Sequence, residues 1–352
     1  KEYATVVWGD EALKERLEFE VKNDARDLKI SDKSEQGTKE ATFLKLQLYV
    51  LPIETEAEAG DVKVSVSGAS PSELVVARYG DYGVNVKSVS TETVLAGKPN
   101  QKIGKFALEE VIPGSLVKDR TIVLTLPDQA KWVEVPKIDE DNSKLHGLQF
   151  SKINDKEFFA KINDQTVRAK VDAQSVTDPA YVVIKGGKIT VAADFSGDIE
   201  LAISGSAGAS GKVKVAEVKA PVSVSVSGAT QVIIGEQNQA AGELTLTEAK
   251  KGALKRGEYI ELKLPAGVTF ASVPTFAVTE GNLNLSTAEL VYDDSVARVK
   301  VEASSTVPST IKVSNIKLTL TRNVPEGDIQ LKVGGRAVVE NSADFPGKDF
   351  VA

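Results

Sequence analysis

The sequence has no cysteine, no methionine, one histidine, two tryptophans and no long apolar run. Without cysteine it has neither disulfides nor thiolate metal sites. Without cysteine no Cys-His relay can be assembled, a Ser-His-Asp relay would have to rest on His146, the only histidine, and His-rich zinc or copper centres are excluded. No apolar stretch reaches the ~18 residues of a membrane-spanning helix. A net charge of −7 leaves no basic footprint for nucleic acid. Methionine is missing even at position 1, which reads as removal of a signal peptide from an exported chain, with trimming as the alternative.

What is present is repetition. Val62 to Ser70, VKVSVSGAS, matches Val222 to Thr230, VSVSVSGAT. Gln101 to Pro127 matches Gln239 to Pro265 without a gap, with Gly104/Gly242, Leu108/Leu246, Glu110/Glu248, Leu116/Leu254, Ile122/Ile260 and Leu124/Leu262 coinciding. Gly197 to Ser204, GDIELAIS, matches Gly327 to Gly334, GDIQLKVG. The offsets fall from 160 to 138 to 130 (222 − 62, 239 − 101, 327 − 197). The first copy is therefore expected to carry insertions in loops.

Between these blocks, short alternating segments recur with turn residues between them and almost no helical periodicity, the pattern of β-sandwiches. Thr42 to Val50, TFLKLQLYV, alternates strongly, and residues 1–60 read as the back half of a further, abbreviated module. The expected organisation is all-β: an N-terminal strand and partial module over 1–60, then tandem Ig-like sandwiches over 61–218 and 219–352.

Candidate sites are few. His146 sits in a polar loop, where a surface role is its ordinary reading. Asp139 with Asp141, and Asp293 with Asp294, are weak calcium candidates, because clustered carboxylate oxygens suit that ion. Neither pair matches a calcium loop with its Gly and terminal Glu, and a solvated acidic turn is the other reading. Gly186-Gly187 and Gly205 to Gly208 lack the Gly-Lys-Ser/Thr of a phosphate loop. Asn284-Leu-Ser286 fits a glycosylation sequon.

The termini carry the most physical meaning. Glu2 to Trp8 is apolar on both faces, with Ala4, Val6 and Trp8 on one and Tyr3, Thr5 and Val7 on the other. Such a segment suits a strand donated to another subunit, and pairing within its own chain is the equal alternative. Tyr3, Ala4, Val6, Val7 and Trp8 are the candidate donor residues, and Phe345, Phe350 and Val351 a second, C-terminal set.

With the repeat, and IELKLPAGV (Ile260 to Val268) as its most distinctive piece, the chain resembles tandem Ig-like modules of secreted bacterial surface proteins. These include surface-layer and extracellular-fibre subunits and Gram-positive exported proteins with copper-amine-oxidase-like N-terminal domains. The resemblance implies an exported, self-assembling or wall-associated role; it does not imply oxidase activity, for which the histidines are missing. The expected function is structural rather than enzymatic: a filament or surface-layer subunit whose partners are copies of itself, joined head to tail by strand addition. The alternative is a monomeric adhesin or glycan-binding module using Tyr79, Tyr82 or Trp132 at a loop end.

Overall fold

A strand that buries one face needs apolar residues at every second position, and the segments Thr121–Thr125 and Tyr259–Lys263 show what that produces. Ile122 and Leu124, like Ile260 and Leu262, are buried, while the residues between them are half-buried. The protein is described here from a computed structural model, which describes residues 4–9, 11–24, 26–34, 44–49, 60–67, 72–80, 82–154 and 157–351. The chain divides into two compact units, Lys1–Gly80 and Asp81–Ala352.

The larger unit contains two β-sandwiches built on the same strand order, the first with additional outer strands. In the first, one sheet runs Lys137–Ile138, Tyr181–Lys185, Phe106–Glu110, Val84–Ser88. The facing sheet runs Gln149–Phe150, Thr166–Ala173, Thr121–Thr125, Gly197–Ser204, Gly211–Lys219, Glu92–Leu95. In the second, the same places are taken by Thr275–Glu280, Thr310–Ser314, Glu243–Glu248 and Val222–Ser227, facing Asn284–Leu285, Val296–Ala303, Tyr259–Lys263 and Lys332–Gly334. A three-stranded sheet closes each, with Gln101–Lys102 in one and Gln239–Ala240 in the other. Each sandwich has its own core, one around Phe106, Leu108, Trp132 and Ile184, the other around Leu246, Leu254, Phe270 and Ile311.

Register corrects the opening of the repeat. Val222 lies opposite Glu248, and the residue opposite Glu110 is Val84, not Val62. Val84 to Val222 and Glu110 to Glu248 are both 138 residues (222 − 84, 248 − 110). The offset is thus constant through the front half and falls to 130 only by Thr166/Val296 (296 − 166). The inserted residues lie between Ile138 and Thr166, a stretch that includes the 3-10 turn Glu140–Asn142 and the His146 loop. Alternating Val/Ser is common to edge strands with one covered face, so VKVSVSG and VSVSVSG agree in period without agreeing in place.

Val62 belongs instead to Gly60–Val66, which pairs with Ser72–Tyr79 inside the N-terminal unit. The boundary expected at 60/61 therefore moves to 80/81. Gly60 to Ser67, GDVKVSVS, is a third occurrence of the GDIELAIS block. Its hairpin repeats that of Gly197–Ser204 with Gly211–Lys219 residue by residue, and the bulge falls at the same point, Val62/Lys63 against Ile199/Glu200. Ala4–Gly9 pairs with Leu44–Leu48 as Thr275–Glu280 pairs with Thr310–Ser314, and Leu17–Lys22 pairs with Asp27–Asp32. These are the pairings of the back half of a sandwich. In the complete modules such ribbons are joined by the two strands equivalent to Phe106–Glu110 and Thr121–Thr125. Among the described residues the N-terminal unit has three separate two-stranded ribbons.

The identity Glu110/Glu248 has an interior cause. Glu110 is 2% exposed and accepts from Leu116 N–H (2.7 Å), Ala180 N–H (2.7 Å) and the Ser175 hydroxyl. Glu248, 4% exposed, accepts from Leu254 N–H (3.2 Å) and Ser309 N–H (2.9 Å). In both copies one buried carboxyl group ties the loop after its strand to the neighbouring strand, satisfying N–H groups that water cannot reach. Glu110→Ala should destabilise the first sandwich by about 3 kcal/mol or more, since two buried N–H groups lose their acceptor. Chemical denaturation of the full chain measures this, and an unchanged midpoint would show the loop does not depend on the carboxyl group.

Candidate interaction sites: strand edges and the strap between sandwiches

The N-terminal donor candidate is engaged within its own chain. Ala4–Gly9 pairs antiparallel with Leu44–Leu48, with a bulge between Val6 and Trp8. Ala4 and Val6 are half-buried; Tyr3 lies outside the described residues, and of Val7 and Trp8 only the main chain is described. One edge of the strand is used, and its other edge has no partner strand among the described residues. In the ribbon of Gly60–Val66 and Ser72–Tyr79, Leu74 and Val76 are 51% and 41% exposed. Their counterparts in the first sandwich, Val213 and Val215, are 5% and 0% exposed.

The C-terminal candidates also fold back. Phe350 bridges to Gly334, and Val351 N–H donates to Val333 O (2.9 Å) in the second sandwich. Phe345 is 9% exposed, with the Lys131 ammonium 5.0 Å from its ring centre. Lys131 belongs to the first sandwich, so the segment around Phe345 is a strap from one sandwich onto the other.

That strap carries a set of buried polar contacts. Glu340 N–H donates to Gly97 O (2.7 Å). The buried Lys98 ammonium donates to Ala337 O and to Glu340 Oε1, both at 2.8 Å. Glu340 Oε2 also lies 3.3 Å from Lys255 Nζ. Burial lowers the pKa of Lys98, and the bond and charge of Glu340 oppose that shift. Asn341, 3% exposed, donates to Thr190 Oγ1 (2.6 Å) and Val191 O (2.8 Å). Gly97 permits the approach: its φ is +71°, and a Cβ there would stand 3.3 Å from Ala193 Cβ and 3.4 Å from Val339 Cα. Sequence reading missed the strap. Its signal was present in the apolar triplet Ala337-Val338-Val339, all buried, inside what reads as a loop.

The acidic candidates part company. Asp139 is wholly buried and held by Lys185 (2.6 Å), Asn142 (2.8 Å) and Lys105 (3.3 Å). Two ammonium groups at this range compensate the carboxylate as a cation would, which corrects its reading as a calcium ligand. Asp141 is exposed in the 3-10 turn, and Asp293 and Asp294 sit exposed in a left-handed turn. Among the described residues no three carboxylate or imidazole groups converge on a point. His146 is half-buried, with Nδ1 3.7 Å from Asp178 Oδ2.

The aromatics of the glycan-binding alternative do not line one surface. Trp132 is 2% exposed in the first core, its Nε1–H donating to Gln165 O (2.8 Å). Tyr79 is half-buried, whereas Tyr82 is 62% exposed. Among the described residues no helix is long and apolar enough to cross a membrane.

No family model matches the chain, and no curated protein matches it. Several solved structures are similar at the level of architecture. A C-terminal fragment of the major pilin of Streptococcus agalactiae shares 11% identity, with 73% of this chain and 86% of that one covered at a TM-score of 0.26. A protein of Corynebacterium diphtheriae described as membrane-anchored shares 11%, with 79% and 92% covered at 0.23. The Enterococcus faecalis MSCRAMM ACE shares 13%, with 71% and 92% covered at 0.20. Likeness at this level says nothing of what the chain binds or builds.

Two outcomes follow from the geometry. Asn341→Ala should loosen the strap by roughly 1–3 kcal/mol and split the melting of the two sandwiches into separate calorimetric transitions; a single unshifted transition would mean the strap does not couple them. Lys185, followed by Asn142 and Lys105, holds Asp139 down to about 2 from 3.8. A depressed folded-state pKa contributes stability above the unfolded value, lost as pH falls towards the folded one. The stability gap between the native chain and Asp139→Asn should therefore be full near neutrality and shrink between about pH 4 and pH 2, as denaturation at a series of pH values would register.

Proposed function

We propose that the chain is a structural segment of an extracellular filament or surface layer, its copies joined head to tail by strand addition. The observation that carries this reading is the N-terminal unit. Its ribbons have the pairings of half a sandwich, with outer edges unpaired among the described residues and the apolar face of Leu74 and Val76 exposed. Open edges of this kind are templates for another chain, and an isolated two-stranded ribbon is marginal alone in water. A second copy contributing strands to those edges would bury that face.

The rest of the chain suits the same role. Only Ala220 and Pro221 separate the last strand of the first sandwich from the first strand of the second, and the strap fixes the pair a second time. The two sandwiches are thereby joined at two places. Copies joined end to end make a heterologous contact that propagates instead of closing. Export to the cell surface belongs to the same reading, and a composition without cysteine or methionine is compatible with an oxidising surrounding.

The test is electron microscopy of the negatively stained full chain, beside light scattering over rising concentration. The native chain should form filaments or sheets, and a Leu74→Lys, Val76→Lys variant should remain monomeric with an unchanged circular dichroism spectrum. A native chain that stays monomeric up to its solubility limit would overturn the proposal and favour a lone binding module.

A further inference from the structure

One sheet of each sandwich ends at the same outer place, and the two copies finish it differently. In the first sandwich the place is taken by Lys137–Ile138, in the second by Thr275–Glu280. Among the described residues the first sheet has no strand beyond it, so this border is an edge of the module itself.

In the first copy that edge is blunted. Lys137–Ile138 is two residues long and follows Pro136. The chain then turns away through buried Asp139, held by Lys105 and Lys185. It returns at Lys144, whose N–H and C=O both bond Tyr181, each at 2.8 Å. Lys137, Glu140, Asp141 and Lys144 are exposed along this border. A short strand, a proline and charges are common protections of a sheet edge.

The second copy has none of these within its strand. Thr275–Glu280 is six residues long, pairs only with Thr310–Ser314 among the described residues, and carries no charge before Glu280. Thr275, Ala277 and Thr279 face outward. Phe276 and Val278 pack against the core but are half-buried, whereas Val313 and Ile311 beside them are 0% and 1% exposed. The ladder is regular to Val278 and bulges before Glu280.

We propose that this edge makes a two-fold contact with a second copy of the chain, Thr275–Thr279 pairing antiparallel with itself about Ala277. The strand is complementary to its own reverse. Thr275 falls opposite Thr279, Phe276 opposite Val278, and Ala277 opposite itself, so each residue meets one from its own face. Thr–Thr and aromatic–β-branched pairs are favourable across strands. Phe276 and Val278 of the two copies then make one continuous apolar strip. The charges agree with this pairing. The two Glu280 residues stand about 20 Å apart at opposite ends, by the rise of a strand, beyond the ~8 Å reach of screened charge. Lys312, beside Ala277 in the ladder, is compensated by Glu243 at 2.8 Å. One short strand pair is marginal alone in water, so the contact holds copies together only where another joint sets them side by side. Repeated along a filament or layer it adds up and acts as a lateral joint. That lateral role rests on the filament reading; the two-fold pairing does not.

The chain has no cysteine, so a single introduced thiol reports its own encounters. Ala277→Cys sets two thiols opposite each other on the axis, where facing Cα atoms of a strand pair lie within disulfide reach. The variant is made in the Leu74→Lys, Val76→Lys chain, so that the N-terminal edges cannot bring the thiols together. On mild oxidation it should form the covalent dimer roughly tenfold faster than Ser304→Cys, an exposed position outside any strand, as a raised effective concentration requires. Adding Thr275→Lys and Thr279→Lys, which places like charges opposite each other, should remove the difference. Thr275→Cys chains mixed with Thr279→Cys chains should cross-link to each other in preference to themselves. Equal dimerisation of Ala277→Cys and Ser304→Cys, a rate unaffected by the two lysines, or self-linking of Thr275→Cys as fast as its linking to Thr279→Cys would overturn the contact.

Discussion

Every strand has two edges, and each edge carries N–H and C=O groups that must be bonded. In both sandwiches this requirement is met at the centre by the strands equivalent to Phe106–Glu110 and Thr121–Thr125, which pair on both sides and join the remaining ribbons into sheets. Where those strands are not among the described residues, in the N-terminal unit, the same ribbons stay two-stranded and the face of Leu74 and Val76 stays exposed. In the second sandwich the GDIQLKVG block is strand over Lys332–Gly334, where it pairs with Tyr259–Lys263.

The polar interior follows the same logic. Glu110 and Glu248 bond N–H groups where the chain leaves the sheet, and Gln101 and Gln239 clamp the segment before the closing strand. Asp139, by contrast, answers to side-chain charge, with two lysines and an asparagine around one carboxylate. The strap mixes both kinds, with main-chain bonds at Gly97 and Ala337 and a buried lysine compensated by Glu340. Rigidity between the sandwiches thus comes from hydrogen bonds set around a small apolar contact at Val339 and Ala193.

Much of this was legible. Period-two alternation located the strands, and the gapless match of Gln101–Pro127 with Gln239–Pro265 placed the front halves of both sandwiches in the right register. Two readings went astray for definite reasons. VKVSVSG was aligned with VSVSVSG because period is shared by any strand with one buried face; pairing with Glu110 or Glu248 assigns the place. Asp139 read as a weak calcium candidate or a solvated acidic turn because its partners are remote in sequence, Lys105 and Lys185. The strap was hidden for the same reason, since Lys98 and Glu340 are 242 residues apart.

The amino-acid sequence by itself determined the strands, their buried faces, the tandem repeat and the absence of cysteine chemistry and multi-histidine metal centres, because these depend on local period and composition. Only the tertiary structure decided which edges are covered, where the modules begin and what ties them together. Those depend on hydrogen bonds between segments distant along the chain, and a strand's own residues are the same whether or not a neighbour lies beside it.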